Sequence, residues 1–183
     1  MLRYGLLFLC LLTGQVQATD LRLLNEPGHV LLLRHALASG VGDPAGFVLD
    51  NCSTQRNLSA KGRQQARDIG DRLRAAGISQ ASVFSSHWCR CLETANLIGF
   101  GNPQPLAAID SFFQSKDPDA KSEATSALRQ HLADGRQQAA RIYITHQVNL
   151  TALLGGFAAS GHGYLVKINQ QGDAEIISEF AFE

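Results

Sequence analysis

The sequence predicts an α/β fold, a three-layer α/β/α sandwich around a mostly parallel central sheet. Short aliphatic or β-branched runs alternate with longer stretches that carry apolar residues at helical spacing. The first run, from Val30 to Leu33, is continuously aliphatic, which is typical of a parallel strand covered on both faces. A chain of 183 residues is long enough for one such domain.

The remaining elements follow from periodicity and from turn residues. Further strands are predicted at 81–85, 106–109, 141–146, 163–169 and 174–180, and the last two are joined by a predicted hairpin turn at 170–173. Helices are predicted after the cap residue Ser59 as far as Gly77, at 88–98, from Ser122 to Gly135, and at 150–157. The glycine-rich stretch 36–57 has no periodicity and predicts a long loop, which in compact domains usually serves function.

The first 18 residues have the features of a secretory signal peptide. Arg3 supplies the positive charge, residues 6–12 form an apolar run too short to span a bilayer, and Val16-Gln17-Ala18 resembles a cleavage site. We therefore expect cleavage after Ala18 and export, which in a bacterium means the periplasm. The expected mature protein is a single domain, residues 19–183, with no stable membrane insertion.

Charge and cysteine content narrow the possible partners and bonds. The 16 basic and 16 acidic residues balance, so no broad basic surface for nucleic acid is expected. The mature chain keeps Cys52, Cys89 and Cys91, and an oxidising compartment favours one disulfide. Cys52 is expected to pair with either Cys89 or Cys91, because a bridge between the last two would be strained. Three free thiols are the alternative.

Polar side chains follow three of the predicted strands. Arg34 and His35 follow the first strand, Ser86 and then Arg90 follow the second, and His146 follows the strand at 141. The carboxyl ends of parallel strands meet at one edge of a sheet, so we expect these side chains to lie together. Guanidinium groups match phosphate oxygens, and nearby positive charge keeps an imidazole neutral and able to attack. The cluster predicts phosphoryl transfer without a metal.

The order and spacing of these residues resemble the histidine phosphatase superfamily, which includes phosphoglycerate mutases and acid phosphatases. Residues 33–36, Leu-Arg-His-Ala, resemble the Arg-His-Gly signature, with Ala36 in place of its glycine. Residues 56–62 resemble the Leu-Ser-x-x-Gly segment, residues 85–95 the second arginine motif, and residues 145–146 the second histidine. The resemblance spans about 29–155 and implies a phosphoglycerate mutase-like fold.

Roles for individual residues follow from this resemblance. It implies that His35 becomes phosphohistidine and that Arg34, Arg90 and His146 hold the phosphoryl oxygens. Arg56 and Ser86 are added as expected substrate-binding residues. No metal or other cofactor is expected.

The general acid is less well defined. Gln147 follows His146, where phytase-like members carry an aspartate. Asp110, at the end of the predicted strand 106–109, is the best-placed carboxylate, and a turn or helix cap is its alternative role. Of the other histidines, His162 is a candidate to reach the site. His87 is expected to be structural, His29 exposed and His131 without a partner.

The leading hypothesis is an exported phosphomonoesterase that acts on a small-molecule or glycolipid phosphate ester. A narrower resemblance is to the lipopolysaccharide core heptose phosphatase. One alternative is a non-catalytic phosphate-binding module of the same fold. Another is a metal hydrolase that uses His35, His146 and a carboxylate, which the neighbouring arginines disfavour because they repel a cation.

Overall fold

The computed structural model describes residues 20–182, and the predicted signal peptide lies outside them. Six strands form the sheet: β1 His29–Arg34, β2 Ser82–Ser85, β3 Gln104–Pro105, β4 Arg141–Thr145, β5 His162–Ile168 and β6 Ala174–Ala181. The helices that lie entirely within the described residues are α1 Ala60–Ala75, α2 Cys89–Ile98, α3 Ala120–Asp134 and α4 Gln147–Leu154. Short 3-10 turns lie at Leu23–Asn25, Cys52–Thr54 and Ala107–Ile109.

The strand order is β3-β2-β4-β1-β5-β6. Strands β3, β2, β4 and β1 pair in parallel, whereas β5 runs antiparallel to β1 and β6 antiparallel to β5. The prediction of a mostly parallel sheet with a final hairpin is therefore confirmed. The carboxyl ends of β1, β2 and β4 lie at one edge, as parallel pairing requires.

The sheet is covered by helices on both faces. Successive residues of a strand point to opposite faces, so Leu31 and Leu33 join a cluster with the side chains of α1 and α2. Val30 and Leu32 join a second cluster with α3 and α4. This arrangement confirms the three-layer sandwich. Among residues 20–182, no helix combines the length and the apolar composition needed to cross a membrane.

The predicted strand at 106–109 is wrong. On the side away from β4, β2 pairs in parallel with the short strand β3, and the chain then turns into the 3-10 segment Ala107–Ile109. The turn closes because the backbone N–H of Ile109 donates to the carbonyl of Leu106, at 3.2 Å. The apolar side chain of Ile109 is still buried, which explains why the pattern resembled a strand.

Two helix boundaries also differ from the prediction. Ser122 lies inside α3 and does not cap it, because its hydroxyl donates to the carbonyl of Asp119 at 2.9 Å. Helix α4 occupies residues 147–154 and not 150–157. It ends at Gly155, whose φ of 73° is a left-handed conformation that glycine adopts without a steric penalty.

Two histidines have surroundings that the sequence did not indicate. The ring of His131 packs edge-on against Phe84, with 4.8 Å between centroids, and also against Tyr143. The expectation that it lacks a partner is wrong, because α3 lies across the aromatic side chains of β2 and β4. His29 is the first residue of β1 and is half-buried, not exposed.

Candidate active site

The two histidines that follow β1 and β4 lie side by side at the edge of the sheet. His35 and His146 extend neighbouring parallel strands, and the backbone N–H of His35 donates to the carbonyl of Thr145 at 2.9 Å. Their ring centroids are 5.5 Å apart and both rings are buried. The parallel pairing predicted from the sequence thus brings two imidazoles together.

Arg90, in the first turn of α2, joins the two imidazoles. Its Nε donates to Nε2 of His35 and its Nη2 donates to Nδ1 of His146, both at 3.3 Å. The three residues come from three different elements, so their contact depends on the packing of α2 against the strand ends. The guanidinium therefore contacts both rings at once.

Hydrogen bonding fixes the tautomer of His35. Its Nδ1 lies 2.8 Å from the carbonyl oxygen of Ala36, which can only accept a hydrogen bond, so Nδ1 carries the proton. Nε2 then presents its lone pair. Burial, followed by the positive charge of Arg90, holds the pKa of His35 well below its ordinary value. His35 is a neutral imidazole whose Nε2 is unprotonated and accepts from Arg90, and the neutral form is the one that can attack phosphorus.

His146 has the opposite tautomer. Its Nδ1 accepts from Arg90, so its Nε2 carries the proton and donates to the hydroxyl of Ser86 at 2.9 Å. Burial, then His35 and Arg90, hold the pKa of His146 well below its ordinary value. Ser86 is fully buried and does not line the cavity, and its predicted substrate-binding role stays a prediction. In this structure it orients His146.

A cavity of about 290 Å³ opens in front of the histidines. Arg34 and Arg56 line it together with Arg90. The Nη1 of Arg34 donates to the carbonyl of Ala158 at 3.0 Å. All three guanidiniums contribute to lowering the pKa of His35 and of His146, so the structure places all three cations around the pair of rings.

Arg56 also holds the loop that covers this cavity. Its Nε donates to the carbonyl of Gly42 at 2.9 Å and its Nη1 to the carbonyl of Ala38 at 2.6 Å. The loop 36–57 therefore folds around a guanidinium. This double role, in the loop and beside the site, was not indicated by the sequence.

Asp43 is the functional residue that sequence reasoning missed. It lines the cavity from the loop, and its carboxylate accepts from Nη1 of Arg90 at 2.8 Å and from Nε1 of Trp88 at 3.0 Å. The backbone N–H of Arg56 donates to it as well, at 2.9 Å. The sequence does contain a signal for this residue. Asp43 is an aspartate in a long glycine-rich loop, and the candidate site holds several arginines that need a counter-ion.

A disulfide ties the same loop to helix α2. Cys52 is bonded to Cys89, while Cys91 is a buried free thiol. Of the two pairings left open by the sequence, the structure has the one with Cys89, the residue immediately before Arg90. The loop that carries Asp43 and the helix that carries Arg90 are thus covalently connected.

The Leu-Ser-x-x-Gly segment supports the backbone after His35. The hydroxyl of Ser59 accepts from the backbone N–H of Gly62, at 3.0 Å, and caps α1. A Cβ at Gly62 would lie 2.0 Å from the carbonyl oxygen of Leu37, so the close approach requires glycine. Ala36, which replaces the signature glycine, does not have a positive φ and is accommodated without strain.

Asp110 lies beside the site but does not line the cavity. Its Oδ1 accepts from the backbone N–H of His87 at 2.8 Å, and its Oδ2 lies 2.9 Å from Nδ1 of the same residue. The next residue, Ser111, does line the cavity. His162, the first residue of β5, does not. The role of Asp110 as general acid stays a prediction.

Within residues 20–182, the structure contains no group of three or more His, Cys, Asp or Glu side chains that could hold a metal ion. The polar residues around His35 are instead guanidinium groups and a second imidazole. Such an arrangement suits an anion with several oxygen atoms.

Comparison with known sequences points to one family. A sequence model described as the histidine phosphatase superfamily (branch 1) matches residues 30–112. The mitochondrial serine/threonine-protein phosphatase Pgam5 of Drosophila grimshawi is 36% identical over 70 residues. That match covers 38% of this chain and 22% of Pgam5, so the chain spans about a fifth of the length of this curated relative.

Solved structures share the fold. The protein histidine phosphatase SixA, complexed with tungstate, superposes with a TM-score of 0.58 at 15% identity over 84% of this chain and 96% of SixA. The phosphoglycerate mutase of Thermus thermophilus superposes with a TM-score of 0.56 at 18% identity over 85% of this chain and 99% of the mutase. The chain therefore matches the histidine phosphatase superfamily over the first histidine and second arginine motifs, and the solved structures show that it shares their fold.

Proposed function

We propose that this protein is an exported, metal-independent phosphomonoesterase that forms a phosphohistidine on His35. One observation supports this most directly. Nε2 of His35 is unprotonated, because Nδ1 donates to the carbonyl of Ala36, and its lone pair accepts from Nε of Arg90. A neutral nucleophile is held where a phosphoryl group would bind. The proposal of export rests on the first 18 residues alone.

The first step transfers the phosphoryl group to the enzyme. Arg34 and Arg90 bind its oxygens and offset the charge that develops as Nε2 of His35 attacks phosphorus. The N–P bond forms, the ester P–O bond breaks, and its electron pair goes to the leaving oxygen, which takes a proton from a general acid or from water. His146 orients Arg90 for this step, because its Nδ1 accepts from Nη2 of the guanidinium.

The second step regenerates the enzyme. Water attacks phosphorus, the N–P bond breaks, and its electron pair returns to Nε2 of His35. Inorganic phosphate and a proton are released. No oxidant, reductant or metal takes part, so the proposed chemistry needs only the residues that line this cavity and water.

The proposed substrate is a small-molecule or glycolipid phosphate ester. The similar proteins Pgam5 and SixA are named as protein phosphatases, and that describes those proteins. A lipopolysaccharide core heptose phosphatase is the narrower alternative; it requires a hydroxyl-rich leaving group and depends on export, and it competes with the leaving group inferred in the next subsection. Neither proposal involves nucleic acid.

The test is phosphate release from an aryl phosphate by the purified mature protein in the presence of a chelator, with His35→Ala alongside. His162→Asn is the matched control, since His162 lies outside the cavity. We expect turnover in the wild type and the control and none in His35→Ala. A rapid quench with labelled substrate should place the label on His35.

Each alternative has its own outcome in this experiment. Labelling without turnover would favour a module that binds phosphate but does not turn over. Loss of activity in chelator would favour a metal hydrolase. Equal turnover in His35→Ala would place the active site elsewhere.

A further inference from the structure

We propose that the leaving group of the substrate is apolar next to the ester oxygen: the substrate is the phosphate monoester of an aliphatic alcohol or of a phenol. This inference rests on the proposed phosphatase function and assigns a second part of the same cavity, its mouth. Three features of that cavity support the inference: where its charges lie, which apolar side chains are exposed at its opening, and which polar groups are already hydrogen-bonded.

Charge is confined to the part of the cavity near the histidines. Arg34, Arg56 and Arg90 all act on His35, and Asp43 is bonded to Arg90. The other described lining residues carry no charge: Gly40, Val41, Gly42, Ser111, Phe113, Gln114, Gln147, Val148 and Phe157. A leaving group with a carboxylate or an amine would find no opposite charge there.

Three large apolar side chains surround the opening. Val41 is 87% exposed, Phe157 68% and Phe113 56%, and all three line the cavity. Because they line it and are also exposed, they lie at its mouth, and we call them the apolar mouth. They come from three separate segments: the loop 36–57, the segment before α3 and the segment after α4. Single exposed apolar residues are common, but convergence on one cavity indicates a binding surface.

The two glutamine side chains at the same place are already bonded to the backbone. The amide of Gln114 accepts from the N–H of Asp43 at 2.7 Å and donates to its carbonyl at 3.2 Å. The amide of Gln147 accepts from the N–H of Ala158 at 2.9 Å and donates to the carbonyl of Gly156 at 3.3 Å. A leaving group with many hydroxyls would lose its bonds to water and gain few in return.

These bonds also keep the apolar mouth in place. Gln114 ties the segment that carries Phe113 to the loop that carries Val41. Gln147 bonds on both sides of Phe157, and the hydroxyl of Tyr164 donates to the carbonyl of Phe157 at 2.8 Å. The surface is therefore held in position before substrate arrives, which reduces the entropy lost on binding.

The experiment compares ethyl, butyl and hexyl phosphate, whose ester oxygens have nearly the same reactivity. We expect kcat/KM to rise by about fourfold for each methylene that the mouth covers. Glucose 6-phosphate and phosphoserine serve as polar comparators and should be poorer than hexyl phosphate by about tenfold or more.

Two double variants separate the contribution of the apolar mouth from the reaction at phosphorus. In Phe113→Ser/Phe157→Ser the dependence of kcat/KM on chain length should flatten. In Ile176→Ser/Ile177→Ser, which changes exposed side chains on β6 outside the cavity, the dependence should be unchanged. All four side chains are exposed, so the fold should tolerate both changes.

The outcomes distinguish this inference from the function on which it rests. Hydrolysis that does not depend on chain length, or a preference for the polar esters, overturns the apolar leaving group and leaves the phosphatase. No turnover of any ester, aryl phosphate included, overturns both. Phosphatidic acid in phosphatidylcholine vesicles tests whether the apolar ester is a membrane lipid or a soluble molecule. Hydrolysis of phosphatidic acid supports a lipid phosphate. Hydrolysis of hexyl phosphate without hydrolysis of phosphatidic acid supports a soluble ester.

Discussion

Asp43 and Arg90 form a buried ion pair across 47 positions of the sequence, with side chains that are 2% and 3% exposed. The carboxylate accepts from Nη1 of the guanidinium. Nε is then directed at His35 and Nη2 at His146. The orientation of the central cation is therefore set by a residue of the loop. A buried charge pair of this kind is costly to break from one side only.

Replacing Asp43 by asparagine should lower kcat more than it weakens the binding of phosphate. The change removes a negative charge beside the anion site and also loosens Arg90, so we expect kcat to fall by about tenfold or more while the Kd for inorganic phosphate does not rise. The free energy of unfolding should fall by about 3 kcal/mol, because Arg90 is left buried without a counter-ion. Steady-state kinetics, phosphate titration and urea unfolding measure these quantities.

Asp50→Asn is the matched control, since Asp50 is exposed in the same loop. It should leave all three quantities unchanged. If Asp43→Asn weakened kcat and phosphate binding to the same degree, Asp43 would be a residue that only supports the fold.

Acid should destabilise the protein through the two histidines. Their pKa values in the folded state lie well below the ordinary 6.5, so the unfolded chain binds more protons as the pH falls through that value. Stability is present above this pH and is lost below it, at up to about 1.36 kcal/mol per pH unit for each histidine. Urea unfolding at neutral and mildly acidic pH should show that the free energy of unfolding depends less steeply on pH in His35→Ala and in His146→Ala than in the wild type. Identical slopes in all three proteins would contradict this account.

Removing the disulfide should reduce activity while the secondary structure stays intact. The bridge closes a segment of 37 residues, so Cys52→Ser/Cys89→Ser should lose about 3 to 4 kcal/mol of unfolding free energy. It also fixes the loop of Asp43 to the helix of Arg90, so kcat/KM should fall by about tenfold or more. Reductant should have the same effect on the wild type and none on the variant. Equal activity of the wild type in both redox states would show that the loop keeps its place without the bond.

The role of Asp110 can be tested with leaving groups of different basicity. If it donates the proton, Asp110→Asn should lower kcat for ethyl phosphate by about 100-fold or more and for an aryl phosphate far less, because a phenolate leaves without full protonation. Asp117→Asn, an exposed change in the following segment, is the control. An equal loss on both substrates would mean that Asp110 only positions His87.

The central part of the site could be predicted because it follows from strand order. A continuous aliphatic run that ends on His35, and a second strand that ends on His146, need only parallel pairing to bring the rings together. Arg90 follows because α2 begins just after the end of β2. These are local patterns combined with one rule of topology.

The loop could not be predicted in the same way. Asp43 reaches Arg90 because Arg56 bonds to the loop carbonyls and Cys52 is bonded to Cys89, and such long-range contacts leave no periodicity in the sequence. Phe157 was assigned to a helix, whereas Gly155 ends α4 and leaves it at the mouth of the cavity. Side chains that close a site depend on tertiary contacts more than on local pattern.

The burial of the free thiol of Cys91 protects the disulfide between Cys52 and Cys89 from exchange. A thiol two positions from Cys89 could exchange into the disulfide and turn Arg90 away from the histidines. Burial raises the pKa of Cys91 to about 12, so at neutral pH roughly one molecule in 10⁵ carries the thiolate that exchange requires. In the folded protein the buried thiol is therefore a poor nucleophile, which slows exchange and preserves the bond between Cys52 and Cys89.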